Sequence, residues 1–556
     1  MKRWVLLTLV ITPAWSQSSV NGSPNQIIGV TQTEDGAVGT TLNAVSQRTV
    51  SVLDFGADPT GVADSRAAVQ ASINAVASTG GTVRLPHGTY LMNSFVASQH
   101  PWKFVNILVP SNVTLDADPG TVLLQGAGGR QLVGNVPRAT YVENTVLAVA
   151  KAATFQVIAF QDPTKNGGFY AANATNGNGQ TITTTTAANA GNFAAGDYIG
   201  IYSATTGDVI LSEMSHVESA NASTGVITLA YRLARGFVTP FVAKITSLTT
   251  THVNIRNLAV QGASPFNVQE AFDVNVDHCN FIYDNTVGGS NLINGLGLNT
   301  IRGFHMSDSS VTPIGTPITG VELPQRNSQD VTFERNTFIV SSVGVGEFPA
   351  HWRFNGNHLW LTYNSGPGGG LNGFPYQGWD MEAVGNDIHA GDFSGSGASC
   401  VTDDSGALAS TSGRIRFIGN KIDCAATGNY AVSLKIPGTS WIGNTITAKS
   451  GTVGAQLLSD NFVFSRNFVS VAGVTQAISP GALSTVDSGT ISDNTVVGNG
   501  TANWGILFTA PGTPQTGGYV ISGNNMTGFT SGAIEPTRLL SHPGTRIVGN
   551  RGATPH

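Results

Sequence analysis

Charge is scarce in this chain. Only 11% of its 556 residues are Asp, Glu, Lys or Arg, and the formal net charge is -6. No basic stripe is available to neutralise phosphates, which excludes a nucleic-acid partner. Cysteine is scarcer still, with three residues at 279, 400 and 424. An odd number without metal-ligand spacing excludes a disulfide framework and a structural zinc site. Cys400 and Cys424 either pair or stay as two buried thiols, and the sequence leaves both open. Long apolar runs are also missing, which excludes a membrane-spanning helix. The N-terminal run Trp4 to Ile11 is too short to span. It follows Lys2 and Arg3 and precedes the small-x-small triplet Ala14-Trp15-Ser16, so residues 1–16 read as a secretory signal peptide. The expected location is secreted, either extracellular or periplasmic.

What the chain has in quantity is glycine, with 68 residues, and a hydrophobic fraction of 40%. That combination suits an all-β chain with many tight turns rather than a disordered one. From residue 251 one phrase recurs: VNIRNLAV, VNVDHCNFI, VTFERNTFI, WRFNGNHLW, MEAVGNDIH, IRFIGNKID, SWIGNTIT, FVFSRNFVS, TISDNTVV, YVISGNNMT and TRIVGN. Its asparagines are Asn257, Asn280, Asn336, Asn357, Asn386, Asn420, Asn444, Asn467, Asn494, Asn524 and Asn550, and Ser309 fills the one missing slot. A period of about 21 to 34 residues is that of a solenoid whose coils cannot bury an apolar face alone. Asparagine at one turn of every coil predicts an internal hydrogen-bonded ladder, because it tolerates left-handed backbone and carries both donor and acceptor.

Upstream, residues 17–50 are polar and read as an arm. Residues 51–149 open with a helix predicted after Asp64, its apolar face formed by Val69, Ile73 and Val76 and its end marked by Gly80-Gly81. TVRLP and GTYLM then read as short strands. Residues 150–250 alternate apolar and polar residues between glycine turns, a β-rich insertion beside the main solenoid of 251–556. The carrying residues DFGA (Asp54 to Ala57), GVAD (Gly61 to Asp64), GGTVRLPHGTY (Gly80 to Tyr90) and VPSNVTLDADPGTVLLQG (Val109 to Gly126) resemble the opening of the pectate lyase-like superfamily. The resemblance implies a right-handed, single-stranded parallel β-helix whose open N-terminal end is capped by the helix.

Short strands precede several of the phrases, among them GVELP, GVGEF, GWDME, SCVTDD and AVSLK. Read as one stacked sheet, their outward residues make a file: Glu322, Glu347, Asp380 with Glu382, Asp403 with Asp404, then Lys435. Acids on adjacent coils fall near the separations at which two carboxyl groups hydrolyse a glycosidic bond, about 5–9.5 Å. Asp380, Asp403 and Asp404 are therefore the candidate acid and base, with Glu382 assisting. The same stretch holds Trp352, Trp360, Trp379 and Trp441, and a glycine-rich loop carrying Tyr376. Flat rings stack on sugars, and Trp352, Tyr376 and Trp379 are candidate substrate contacts, with core packing as the alternative for several of these Trp residues. Arg353 suits bidentate binding of a uronate or a sulfate. Polygalacturonases carry an Asp on one coil and an Asp pair on the next, which resembles Asp380 and Asp403-Asp404. The likeness implies Lys435 as a carboxylate ligand, although their Gly-His-Gly and Arg-Ile-Lys motifs are absent here.

The expected activity is that of a secreted glycoside hydrolase acting on a polysaccharide, one that includes uronates in the polygalacturonase-like form. It needs neither metal nor organic cofactor. A polysaccharide lyase of the same fold is the alternative, with Lys435 and Arg353 as bases and Ca²⁺ bound by the acids. A non-enzymatic glycan-binding adhesin is the third reading.

Overall fold

The computed structural model describes residues 29–30, 40–41 and, between 48 and 552, all but 98–102, 130–142, 151–168, 177–178, 204–209, 234–235, 246–248, 285–294, 315–327, 341–349, 362–378, 391–398, 403–412, 426–429, 435, 450, 482–487, 509–517 and 536–543. The chain winds into a right-handed parallel β-helix. Each coil places one strand on a first sheet, turns a corner, and places the next on a second sheet. Along the first sheet Gln329–Glu334, Ala350–Asn355, Trp379–Val384, Gly413–Ile418 and Ser440–Ile442 pair in parallel register. Along the second, Thr337–Val340, His358–Leu361, Asp387–Ala390, Lys421–Cys424 and Thr445–Ala448 do the same. A third face is formed by Lys103–Val109, Glu143–Val149 and the first halves of Ser264–Asp277 and Leu296–Ser307. Further along it returns as Ser399–Thr402, Tyr430–Leu434, Val453–Leu457 and Gln476–Pro480.

Alternate residues of these strands point inward and stack coil upon coil. Phe333 lies over Phe354 at 4.9 Å between ring centroids, and Phe417 over Trp441 at 4.1 Å. The helix Arg66–Ala77 buries Val69, Ile73 and Val76 in the same core and covers its N-terminal end. Its cap residue is Ser65 rather than Asp64. Asp64 instead accepts the Arg66 amide at 3.1 Å and the Asn93 amide at 2.9 Å, tying the helix start to the next coil. Cys400 and Cys424 are joined as a disulfide that closes one coil across the core, and Cys279 is a buried thiol. No helix among the described residues is long and apolar enough to cross a membrane.

The corner between the first and second sheets carries the predicted ladder. Asn357 donates its backbone N–H to Asn386 Oδ1 at 2.9 Å and its Nδ2 to the same oxygen at 3.0 Å. Asn386 repeats this towards Asn420, and its Nδ2 also donates to the Phe354 carbonyl at 2.8 Å. The chain of amides runs unbroken from Asn336 to Asn550, and Ser309 N–H joins it through Asn336 Oδ1 at 3.0 Å. The residue before each rung is left-handed: Arg335, Gly356, Gly385, Gly419, Gly443, Arg466, Asp493, Gly523 and Gly549. Asn257 and Asn280 are off this ladder. Asn257 occupies the left-handed position itself, so Leu258 holds the rung, and Asn280 starts the following strand. Cys279 holds the rung in that coil, its N–H donating to Ser309 Oγ at 2.9 Å. Burial pushes its thiol up to about 12.

Phe169–Ala171, Thr181–Thr183, Tyr198–Ser203, Ile210–Asn221, Val226–Leu229 and Pro240–Lys244 form a separate six-stranded antiparallel sheet. Ile182, Ile199, Ile201, Val217 and Ile227 give it its own core.

Replacing Asn386 with Ala orphans the Asn357 donors and the Phe354 carbonyl inside the core. At about 1–3 kcal/mol for each buried unpaired group, the expected loss is roughly 2–5 kcal/mol, read as a lower urea midpoint at unchanged m-value.

Candidate active site

A second set of left-handed residues runs along the solenoid, where the third face bends into the first sheet. Asp330, His351 and Asp380 have φ of 54°, 55° and 51°, and His252, Asp273 and Gly303 have φ of 57°, 55° and 73°. The pairings Phe272 with Arg302, Arg302 with Gln329, Gln329 with Ala350 and Ala350 with Trp379 place these residues at one level on successive coils. Aspartate, histidine, asparagine and glycine are the residues that tolerate this conformation, so the bend selects for them. The consequence is a column of His, Asp, Gly, Asp, His and Asp in a chain otherwise poor in charge.

The column is wired by arginines. Arg302 is only 3% exposed and donates from Nε to Asp330 Oδ2 at 2.6 Å. Its other nitrogens reach the Met214 carbonyl of the antiparallel sheet and the Arg232 carbonyl after its Val226–Leu229 strand, and its guanidinium lies 4.4 Å over the Tyr231 ring. Met214 N–H donates back to Gln329 Oε1 at 3.2 Å. The insertion is thus docked beside the column by a buried cation. Tyr198, His216 and Tyr231 pack together at this junction, and burial lowers the His216 imidazole towards its neutral form.

His351 Nδ1 lies 2.8 Å from Asp330 Oδ1. Burial alone raises the Asp330 carboxyl, but His351 and Arg302 outweigh it and hold it below the ordinary carboxylate range. An ionised carboxylate only accepts, so the proton between them sits on Nδ1, and Nε2 is the ring nitrogen facing away from Asp330. Among the described residues Nε2 has no partner, and the side chain is 26% exposed. On the next coil, Arg353 donates to Asp380 Oδ2 at 3.1 Å and to the Asp380 carbonyl at 2.7 Å. Arg416 reaches Glu382 Oε2 at 2.7 Å and Asp380 Oδ1 at 3.9 Å. Arg353, Glu382 and Arg416 are in register on one outward row, and the same row passes through Thr332 and His305 to Asn275 and Asn254. There it meets an open hollow of about 450 Å³ lined by Asn254, Arg256, Asn275, Asp277, His305 and Ser307.

Of the residues read from the sequence, the structure therefore brings Arg353, Asp380 and Glu382 together. It does so differently from the expectation. Asp380 sits at the bend and Glu382 on the first sheet, in one uninterrupted strand with the Asn386 corner. Ser399–Thr402, which leads towards Asp403, lies on the third face beside Tyr430–Leu434. Among the described residues no pairing joins these two strands: Trp379–Val384 pairs with Gly413–Ile418, and Ser399–Thr402 with Tyr430–Leu434. The left-handed bend inside WDMEAV is the reason, since it turns the strand without interrupting its apolar pattern. Trp352 is a correction: its ring is fully buried, and Nε1 donates to the Ser328 carbonyl at 3.0 Å. It packs the core and cannot reach substrate. Trp441 is buried likewise. Glu322, Glu347, Tyr376, Asp403, Asp404 and Lys435 lie outside the described residues, as does the side chain of Trp379. Asp330, His351, Arg302 and Arg416 are not among the candidates read from the sequence. The signal was present: Asp330, His351 and Asp380 each stand six residues before Asn336, Asn357 and Asn386.

The ion pairing has a pH consequence. Because the folded Asp330 carboxyl is lowered, its contribution is complete above the ordinary carboxylate value of about 3.9 and fades as pH falls through the lower folded value. Asp330→Asn should therefore lower Tm at pH 7, and its gap from the native protein should close as pH falls towards 3, as followed by scanning fluorimetry.

A family model described as rhamnogalacturonase A/epimerase, pectate lyase-like, matches residues 49–105. No curated protein sequence matches the chain. Among solved structures, the tailspike protein gp49 from Pseudomonas phage LKA1 aligns over 85% of this chain and 81% of its own, at 13% identity and a TM-score of 0.53. The A-module of the Azotobacter vinelandii mannuronan C-5 epimerase AlgE6 aligns over 91% of this chain and all of its own, at 14% identity and a TM-score of 0.46. The Streptococcus pneumoniae surface adhesin PfbA aligns over 86% and 91%, at 13% identity and a TM-score of 0.46. The opening at residues 49–105, the parallel coils and their capping helix agree on one architecture: the chain is a right-handed parallel β-helix whose opening is similar to the pectate lyase-like family.

Proposed function

We propose that this protein is an exported enzyme that cleaves a uronate-containing polysaccharide by acid–base chemistry on the outer face of the first sheet. One observation carries the reading: the His351 imidazole, oriented by Asp330, stands one coil from Asp380 among Arg353 and Arg416. An oriented imidazole with an open nitrogen is suited to moving a proton. Arg416, which is 45% exposed, offers positive charge to a sugar carboxylate. The signal-like N-terminus supports export, and a disulfide suits an oxidising compartment. Names among the solved structures of this fold, a mannuronan epimerase and phage tailspikes, accord with a polysaccharide substrate.

Hydrolysis is the first form of the reaction. Asp380 supplies one carboxyl group and Asp403 or Asp404 the other, with Glu382 assisting. β-Elimination is the second, and the Asp330–His351 pair favours it specifically. There His351 Nε2 takes the C5 proton next to the uronate carboxylate, the C4=C5 double bond forms as the C4–O4 bond breaks, and the leaving oxygen takes a proton from water, while an arginine balances the carboxylate charge. In the hydrolytic form Lys435 is the carboxylate ligand. Calcium does not fit Asp380 and Glu382, because each faces a guanidinium that already supplies the positive charge. Neither form needs an organic cofactor.

A panel of uronate-containing polysaccharides, followed for new reducing ends and for the ultraviolet absorbance of unsaturated uronates, separates the two. Reducing ends without absorbance, abolished by Asp403→Asn, establish hydrolysis. Both signals together, with His351→Ala lowering kcat by about 10²–10⁴-fold, establish elimination. If His351→Ala and Asp380→Asn both leave full activity, the cleavage site is elsewhere.

A further inference from the structure

The second sheet carries an unusual outer face on the far side of the ladder corner. Trp360 is 54% exposed, the most exposed aromatic side chain among the buried and exposed hydrophobics of the described residues. Its ring is held in place: the His389 ring on the next coil lies 4.5 Å away, and His389 Nδ1 is tied to Asp423 Oδ2 on the coil after at 3.1 Å. In the neighbouring outward row, Asp387 pairs with Lys421 at 3.2 Å. That row continues through Thr445 to a second exposed ring, Phe468, which is 39% exposed. Trp360 and Phe468 are four coils apart, on the order of 19 Å at the ~4.8 Å spacing of stacked strands.

Single exposed aromatics are ordinary on protein surfaces. Two on one sheet face, one of them fixed by an oriented imidazole and separated from the other by hydroxyl and carboxylate groups, make a more specific pattern. Ring faces receive the apolar face of a pyranose, and Asp387 and Asp423 accept from its hydroxyls. The coil spacing is close to the length of one extended sugar unit, so the groups recur in step with a glycan laid along the axis. The charges here are two carboxylates and one ammonium. Carboxylates outnumber the ammonium, so this face offers no excess of positive charge to attract uronates.

We infer that the outer face of the second sheet, from Trp360 to Phe468, is a binding track for neutral polysaccharide that is separate from the proposed cleavage site. It does not depend on the cleavage reading. Its role is to hold the protein on a neutral glycan while the first-sheet face remains free for a charged one.

The test is affinity electrophoresis of the full chain in gels containing mixed-linkage β-glucan, galactomannan or polygalacturonate. Native protein is expected to be retarded by at least one of the two neutral polymers. Trp360→Ala should weaken that retention about tenfold, the scale of one lost ring contact. Trp360→Phe should keep most of it, and His351→Ala should leave it unchanged. The proposal is overturned if neither neutral polymer retards the native protein, or if Trp360→Ala is retained as well as the native protein. Loss of retention in His351→Ala instead would place glycan binding on the first sheet. A change of sedimentation mass in Trp360→Ala would make this face a contact between copies of the chain, which also overturns it.

Discussion

The buried amide ladder is the constraint on which the rest of the molecule depends. From Asn357 to Asn524 each asparagine side chain uses its oxygen twice and donates twice from its amide, so a rung is satisfied only if the next coil stands directly above it. A coil cannot slip by one residue without stranding several buried polar groups, each costly in a dry core. The ladder thereby fixes the level of every first-sheet strand. Six residues before the rung comes the second left-handed bend, and the fixed length between bend and rung brings Asp330, His351 and Asp380 into one column. The candidate site is a by-product of a structural requirement, elaborated by the arginines beside it.

Those arginines explain how a charge-poor chain keeps so many ionisable groups together. Carboxylates on adjacent coils repel, but here a guanidinium stands between or beside them. The pairing also joins the two parts of the fold. Arg302 leaves the solenoid to bond carbonyl groups of the insertion, while its Nε holds Asp330 and Asp330 holds His351. A buried cation without its carboxylate is strongly unfavourable, so docking of the insertion and orientation of the imidazole are coupled through one side chain. Removing a partner at either end is felt at the other.

Much of this was legible in the sequence, and the reasons are specific. Asn336 to Asn550 recur in a nearly constant phrase, because each faces the same corner and the same neighbour above and below. The helix face of Val69, Ile73 and Val76 was readable because a cap needs only one apolar stripe. Asn257 and Asn280 were misplaced by one residue, since an asparagine serves equally well as a rung and as the left-handed residue beside it. Trp352 was misread because inward and outward positions swap across a bend that leaves no mark in the apolar pattern. The Asp380 strand was assigned to the wrong face for the same reason.

The sequence by itself determined a repeated β-coil, its corner residues and its capped end, because these rest on contacts between equivalent positions that repeat with the period. Only the tertiary structure decided which polar residues meet. Asp330 with His351, Arg302 with the insertion, and Arg353 with Asp380 are contacts across coils or between two sheets, separated by 21 to 88 residues of chain. Nothing in the local pattern encodes such partners. They follow from the register that the ladder imposes, and that register exists only once the coils have stacked.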